Sequence, residues 1–237
     1  NAGDVNGDGF DDVIVGAGAT SFFNRYSPGS SYVVFGKASG FSATMELSSL
    51  DGSNGFRLDG VAAYVAYDIL GVSISTAGDV NGDGFDDVIV GAPRADQNGY
   101  GTGSSYVVFG KASGFSATVD LSSLDGTTGF RLDVEVNDST HDISFNNAGD
   151  VNGDGFDDVI VGVPSADQNG YGSGSSYVVF GKASDFSATM DLSSLDGTNG
   201  FRLNGETAGD ASGRSVSTAR DVNGDGFDDL IIGADGA

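Results

Sequence analysis

The nonapeptide Asp79-Val80-Asn81-Gly82-Asp83-Gly84-Phe85-Asp86-Asp87 sets oxygen-bearing side chains at its positions 1, 3 and 5, glycine at position 6 and a further acid at position 9. When such a loop curls around a cation, the oxygens of positions 1, 3 and 5 converge on one point. Glycine permits the sharp turn, and position 7 offers a backbone carbonyl. The same string stands at 4–12, 150–158 and 221–229. The expected ligands are Asp4, Asn6, Asp8, the Phe10 carbonyl and Asp12 in the first loop, and Asp79, Asn81, Asp83, the Phe85 carbonyl and Asp87 in the second. In the third they are Asp150, Asn152, Asp154, the Phe156 carbonyl and Asp158, and in the fourth Asp221, Asn223, Asp225, the Phe227 carbonyl and Asp229. An EF-hand would close its site with Glu at position 12. Here that position is Val15, Val90, Val161 or Ile232, inside apolar runs, so the ninth-position acid must close the site and a strand must leave it. A dockerin, which needs an acid at position 12 and a following helix, is disfavoured on the same ground.

Hard carboxylate and carbonyl oxygens without thiolate or imidazole select calcium over zinc or copper. Magnesium fits less well, because it keeps several waters. One calcium per loop, four in the chain, is the expectation. Asp, Asn and Gly are also common turn residues, and the turn-only reading of a single copy is the lesser alternative. Fourfold repetition of the same oxygens favours the metal. The position-8 acids Asp11, Asp86, Asp157 and Asp228 alternate away from position 9 and are expected to be solvated charges.

The elements that must position these loops repeat with them. Motif starts are 75, 71 and 71 residues apart. Behind the first three come Gly-Ser-Ser-Tyr-Val-Val-Phe-Gly-Lys (29–37, 174–182, and with Thr102 before it 103–111), Phe-Ser-Ala-Thr, Leu-Ser-Ser-Leu-Asp-Gly and Gly-Phe-Arg-Leu. Val88-Ile89-Val90, bounded by Asp87 and Gly91-Ala92-Pro93, reads as a strand buried on both faces. Residues 105–109 read as a second such strand and 129–132 as a short third. Val72-Ser73-Ile74-Ser75, Ile143-Ser144-Phe145 and Val216-Ser217 alternate, as a strand with one face on a polar channel does. Four strands per repeat, joined as a meander, describe an all-β protein of four-stranded antiparallel β-propeller blades, each with a calcium loop. The expected blades are 1–60, incomplete, then 61–133 and 134–204, and 205–237, again incomplete. Three blades and fragments do not close a ring comfortably, so the chain reads as a section of a longer protein or as one whose copies complete one another's blades.

Composition narrows the function. With 34 acidic against 10 basic residues the net charge is −24, which repels nucleic acid and anionic lipid. No apolar run approaches the ~20 residues of a membrane helix. The absence of cysteine removes disulfides and thiolate metal sites. The one histidine, His141, has no nucleophile elbow to serve, and packing or surface placement is expected of it. Sixteen of the 34 acids belong to the repeated loops, so no acidic cluster stands out as an active site, and the chain is read as non-enzymatic. Residues 93–103 and 164–174, with Tyr100 and Tyr171 among amides and carboxylates, are either polar turns or surfaces for a protein or glycan ligand. Phe22, Phe23, Arg25 and Tyr26 mark a second place to seek an interface.

The series Gly-x-Ser-Val-Ser, Asp-Val-Asn-Gly-Asp-Gly-Phe-Asp-Asp, Val-Ile-Val-Gly-Ala-Pro and Ser-Tyr-Val-Val-Phe resembles the FG-GAP repeat over nearly the whole chain. That repeat builds the propeller head of integrin α subunits and many bacterial surface proteins. The likeness is closest to the long, near-identical arrays of large secreted bacterial proteins. The Phe-Gly pair departs, being Leu70-Gly71, His141-Asp142 and Ser212-Gly213, and Gly-Ala-Pro is complete only at 91–93. The resemblance implies a calcium-binding, extracellular module, secreted or at a bacterial cell surface, serving adhesion or structural assembly, with self-assembly or flanking repeats among its partners. The alternative is the accessory propeller of a secreted phospholipase or polysaccharide-degrading enzyme whose catalytic domain lies elsewhere.

Overall fold

The computed structural model describes residues 1–17, 29–60, 73–92, 103–134 and 143–237. The β-branched runs become strands. In the first repeat these are β1 (Val13–Ala17), β2 (Ser30–Val34) and β3 (Gly55–Asp59), with an isolated bridge between Gly3 and Asp12 where the inner strand belongs. The second repeat holds β4 (Ile74–Gly78), β5 (Asp87–Ala92), β6 (Ser104–Val108), β7 (Thr118–Asp120) and β8 (Gly129–Asp133). The third repeats that set as β9 (Ser144–Gly149), β10 (Asp158–Val163), β11 (Ser175–Val179), β12 (Thr189–Asp191) and β13 (Gly200–Asn204), and the fourth has β14 (Ser215–Arg220) and β15 (Asp229–Gly233).

Neighbours in each meander are antiparallel. The pairs Ile74↔Val90, Val90↔Tyr106 and Tyr106↔Arg131 cross one complete sheet. β5, β6, β10 and β11 are buried at every residue, as unbroken apolar runs with sheets on both sides must be, whereas β4 and β9 are only partly buried. The apolar core lies between successive sheets. Ala77, Val80 and Ile89 of the second repeat cluster with Val159, Val161 and Tyr177 of the third, and Ala2, Val5 and Val33 of the first with Val88, Val90 and Tyr106 of the second.

One feature differs from the expected four antiparallel strands per repeat. β7 pairs parallel with β3 (Arg57↔Thr118), and β12 pairs parallel with β8 (Arg131↔Thr189). The outer edge of one sheet is thus covered by a three-residue strand from the following repeat. Aromatic stacking holds it there. The Phe115 ring stacks on Phe56 with centroids 4.7 Å apart and planes nearly parallel, and Phe186 stands in the same relation to Phe130. Beyond each short strand, Leu121 or Leu192 is buried in a 3₁₀ turn capped by Asp120 or Asp191. Among the described residues, no helix is long and apolar enough to cross a membrane.

Candidate metal centre

The second and third nonapeptides each join an inner strand to the buried strand beside it, and Gly78 and Asp87, flanking the second loop, are register partners. Backbone N–H groups gather the first three oxygen positions. Asp79 accepts from Asp83 N at 3.0 Å and from Gly84 N at 2.9 Å. Asn81 Oδ1 accepts from the same Asp83 N at 2.9 Å, so the oxygens of positions 1 and 3 are neighbours. Asn81 Nδ2 donates to Asp83 Oδ2 at 3.1 Å, and Asp83 Oδ1 accepts from Phe85 N at 3.1 Å. The first and third loops repeat this set on Asp4, Asn6 and Asp8 and on Asp150, Asn152 and Asp154. In the fourth, Asp221, Asn223 and Asp225 do the same, except that Asn223 Nδ2 donates to Asp229 Oδ1 at 3.3 Å.

The ninth-position acid sits apart from that gathering. Asp87 is fully buried, with Oδ2 accepting from Val80 N at 3.0 Å and Oδ1 from Gly110 N at 2.8 Å. Asp12 latches Val5 N and Gly36 N, and Asp158 latches Val151 N and Gly181 N. Asp229 accepts from Val222 N at 2.9 Å. Among the described residues, no three acidic or histidine side chains close into a metal cage. Burial pushes Asp12 up to about 6 and Asp158 up to about 7, and holds Asp87 well above the ordinary carboxylate range. In each case backbone N–H bonds oppose the shift, while the acids at positions 5 and 1 add to it. A desolvated carboxylate facing two like charges is the electrostatic setting that a hard cation relieves. The donor chemistry therefore fits calcium. The Asp and Asn oxygens of positions 1, 3 and 5, the position-7 carbonyl and the position-9 acid would hold it.

The position-8 acids correct the expectation of solvated charge. Asp86 Oδ2 accepts from Asp4 N at 2.7 Å while Asp86 N donates to Asp4 O at 3.2 Å. Asp157 clamps Asp79 in the same way, and Asp228 clamps Asp150. Position 8 of one repeat thus staples position 1 of the preceding one. Only Asp11 is exposed, bonded to Asn1 Nδ2 at 3.3 Å. The position-7 rings cross the same junction, with Phe85, Phe156 and Phe227 set against Gly7, Gly82 and Gly153, where a Cβ would fall 2.2–2.4 Å from the ring. The pairing of small and aromatic residues within the motif was the one sequence signal of this role.

Of the suggested ligand surfaces, 164–174 is a turn tied to its own backbone and to Gly205, with Tyr171 exposed at its tip. Residues 93–102, Phe22, Phe23, Arg25, Tyr26, Leu70-Gly71 and His141-Asp142 lie outside the described residues.

The FG-GAP repeat matches this chain at residues 1–34, 70–108, 147–179 and 212–237, more than half of its length. The chain belongs to the FG-GAP repeat family. It is similar to Integrin alpha-PS5 of Drosophila melanogaster (30% identity over 171 residues, 70% of this chain) and to Integrin alpha-6 of Gallus gallus (27% over 180 residues, 76%). Integrin alpha-7 of Rattus norvegicus is 31% identical over 157 residues, 66% of this chain. The chain spans 14% of the first two relatives and 12% of the third. FG-GAP repeats imply a β-propeller, and the meander sheets are its blades. The matched segments hold the nonapeptide loops and the strands beside them. Short strands β7 and β12, which cover the outer edges, fall between matches.

Proposed function

We propose that this chain is a calcium-stabilised, non-catalytic propeller module that works outside the cell in adhesion or surface assembly. The observation that carries the reading is the gathered oxygens of positions 1, 3 and 5, repeated in all four loops. Extracellular modules bind calcium with Kd on the order of 10⁻⁴–10⁻³ M. Such sites fill outside the cell and stay empty in a cytosol poor in the ion, which supports an extracellular address. Integrin alpha relatives support the adhesive role by kinship. Exposed Tyr171, with the loop at 93–103, is where a protein or glycan ligand would be met.

Titration calorimetry of the chelated chain with calcium tests the metal. About four equivalents are expected to bind, with a thermal midpoint raised in step. Absence of binding heat at millimolar calcium, with an unchanged midpoint, would falsify the reading.

A further inference from the structure

A cavity of about 450 Å³ opens beside the first nonapeptide loop, at the junction of the first and second repeats. Its walls are Asn6 and Asp8 of that loop, Phe35, the turn at 51–53, and the turn at 112–115 of the following repeat. Small-ligand pockets run to ~300–1,000 Å³, so the space suits one side chain or a small molecule. A nonapeptide meets the repeat before it through positions 7 and 8, as Phe85 and Asp86 do, and neither Phe10 nor Asp11 lines this cavity. The cavity is therefore a property of this junction alone. The second junction differs at two of the lining positions. Asp185 stands in place of Gly114 and Thr127 in place of Ser53, and Lys182 Nζ already donates to the Asp185 carbonyl at 2.9 Å. At Gly114 an added Cβ would meet nothing within 4 Å, so the first cleft is left open.

The chemistry of the lining selects the occupant. Asp51 Oδ1 accepts from Ser53 N at 2.9 Å and from Ser53 Oγ at 2.7 Å, and these bonds hold the carboxyl below its ordinary value, ionised at neutral pH. Asp51 Oδ2 takes no hydrogen bond from the described residues. Asp8 adds a second carboxylate, and no lysine or arginine lines the space. Anions are repelled. Phe115 stacks on Phe56 at 4.7 Å and carries Lys111 Nζ 4.9 Å from its ring centre. With both ring faces taken, it offers an edge and no platform for a sugar or an aromatic ring. Phe35, Ala112 and Phe115 supply apolar surface, so the fitting ligand is a cation on an apolar stem. A guanidinium fork would seek two open oxygens on one carboxylate, and Asp51 has one. A compact ammonium with three rotatable donors needs only one.

We propose that this cavity is a docking site for a lysine side chain presented by a partner polypeptide, its stem along Phe35, Ala112 and Phe115 and its ammonium on Asp51 Oδ2. Asp51, Ser53 and residues 112–114 are exposed, so a side chain projecting from another protein surface reaches them directly. The site does not rest on the metal. A calcium ion in the first loop would set two positive charges against the carboxylates of Asp4, Asp8 and Asp12, and the wall would stay acidic.

Nuclear magnetic resonance of the isotope-labelled 237-residue chain in calcium, titrated with the peptide acetyl-Gly-Lys-Gly-amide, tests the proposal. The amide signals of Gly52, Ser53 and Gly114 are expected to shift and saturate with one equivalent bound, more weakly as salt rises. The same peptide with Nε-acetyl-lysine is expected to leave them still, and its arginine counterpart to bind several-fold more weakly. Asp51→Asn keeps the acceptor of Ser53 N and is expected to weaken binding about fivefold with an unchanged melting curve. Asp125→Asn, the same charge loss at the second repeat's turn, is expected to change nothing. Unmoved signals at millimolar peptide, or equal binding of the acetylated or arginine peptide, overturn the proposal. Equal weakening by Asp51→Asn and Asp125→Asn would reduce the effect to net charge and overturn it too. Putrescine binding more tightly than the peptide would assign the cavity to a free amine instead of a partner chain. Calorimetry with calcium reads the metal separately, and its failure would leave the peptide result standing.

Discussion

A position-9 aspartate buried against two backbone N–H groups gives the loops a defined pH dependence. Without calcium, the unfolded chain releases these protons near pH 4, the ordinary carboxylate value. The folded chain holds them until about pH 6 at Asp12 and about pH 7 at Asp158. Between those limits the native state binds more protons, so stability is full below about pH 4 and falls as pH rises toward 7. The proposed calcium would reverse the penalty by pairing with the ionised form. The chelated protein is therefore expected to melt at a lower temperature at pH 7.5 than at pH 5, and added calcium to remove most of the difference. Asp158→Asn, uncharged throughout, is expected to flatten the pH slope even if it lowers the whole curve by leaving one N–H badly met. A slope unchanged in the variant would show that another group carries it. At this scale the convergence of the side chains at positions 1, 3 and 5 was legible from their spacing, and the ion proposed for them is what the calorimetry tests. Position 8 was not, because strand alternation was applied to a loop residue whose hydrogen-bond partner lies 78 or 82 positions away in the preceding repeat.

Blades are joined by elements that local pattern only half reveals. β5 and β10 were legible as apolar runs, since nothing else explains three successive β-branched residues between Asp and Gly. β7 and β12 were not, because Thr-x-Asp over three residues has too little apolar surface to announce a strand, and its partner lies in another repeat. Glycine marks the tightest junction. Gly78 and Gly84 both have positive φ, +74° and +88°. A Cβ at Gly84 meets nothing within 4 Å, whereas one at Gly78 falls 2.1 Å from Asp157 Oδ2 and 2.3 Å from Asn147 Nδ2. Gly84→Ala is expected to cost only the left-handed strain, about 1–2 kcal/mol. Gly78→Ala is expected to cost clearly more, because it also displaces the carboxylate that holds Asp79 N. Asp157→Ala alone leaves that N–H unmet, for about 1–3 kcal/mol. The double variant Gly78→Ala with Asp157→Ala should then be less damaging than the two costs added, since one of the two side chains that the Cβ meets is gone. Denaturant unfolding of the three variants measures this, and strict additivity would show that the residues do not meet.

For the whole molecule the repeat spacing told most of the architecture, and the proposed calcium ions would set how firmly the array holds. At about tenfold excess over Kd, one site contributes about 1.4 kcal/mol and four about 6 kcal/mol. That is comparable with the ~5–15 kcal/mol of an ordinary domain. The contribution is not spread evenly. Repeat arrays draw stability from each unit and from its contacts with neighbours, and the second and fourth loops differ in those contacts. Around the second, Phe85 covers Gly7 and Asp86 clamps Asp4, while Phe156 covers Gly82 and Asp157 clamps Asp79. Val80 is fully buried there, but its counterpart Val222 in the fourth loop is 73% exposed, and Gly224 has nothing near it. Loss of order in the second loop therefore loosens two blade junctions, and loss in the fourth only one. Asp83→Ala removes one gathered carboxylate and the acceptor of Phe85 N; Asp225→Ala does the same to Phe227 N. In calcium, Asp83→Ala is expected to lower the thermal midpoint by several degrees and Asp225→Ala by less. In chelator the gap between each variant and the wild type should narrow, because the metal's share is already gone. Midpoints that fall equally would mean the loops act as independent units. A fall confined to Asp225→Ala would mean that the interior junctions hold without their ions, and that the loops do not pin the blades together.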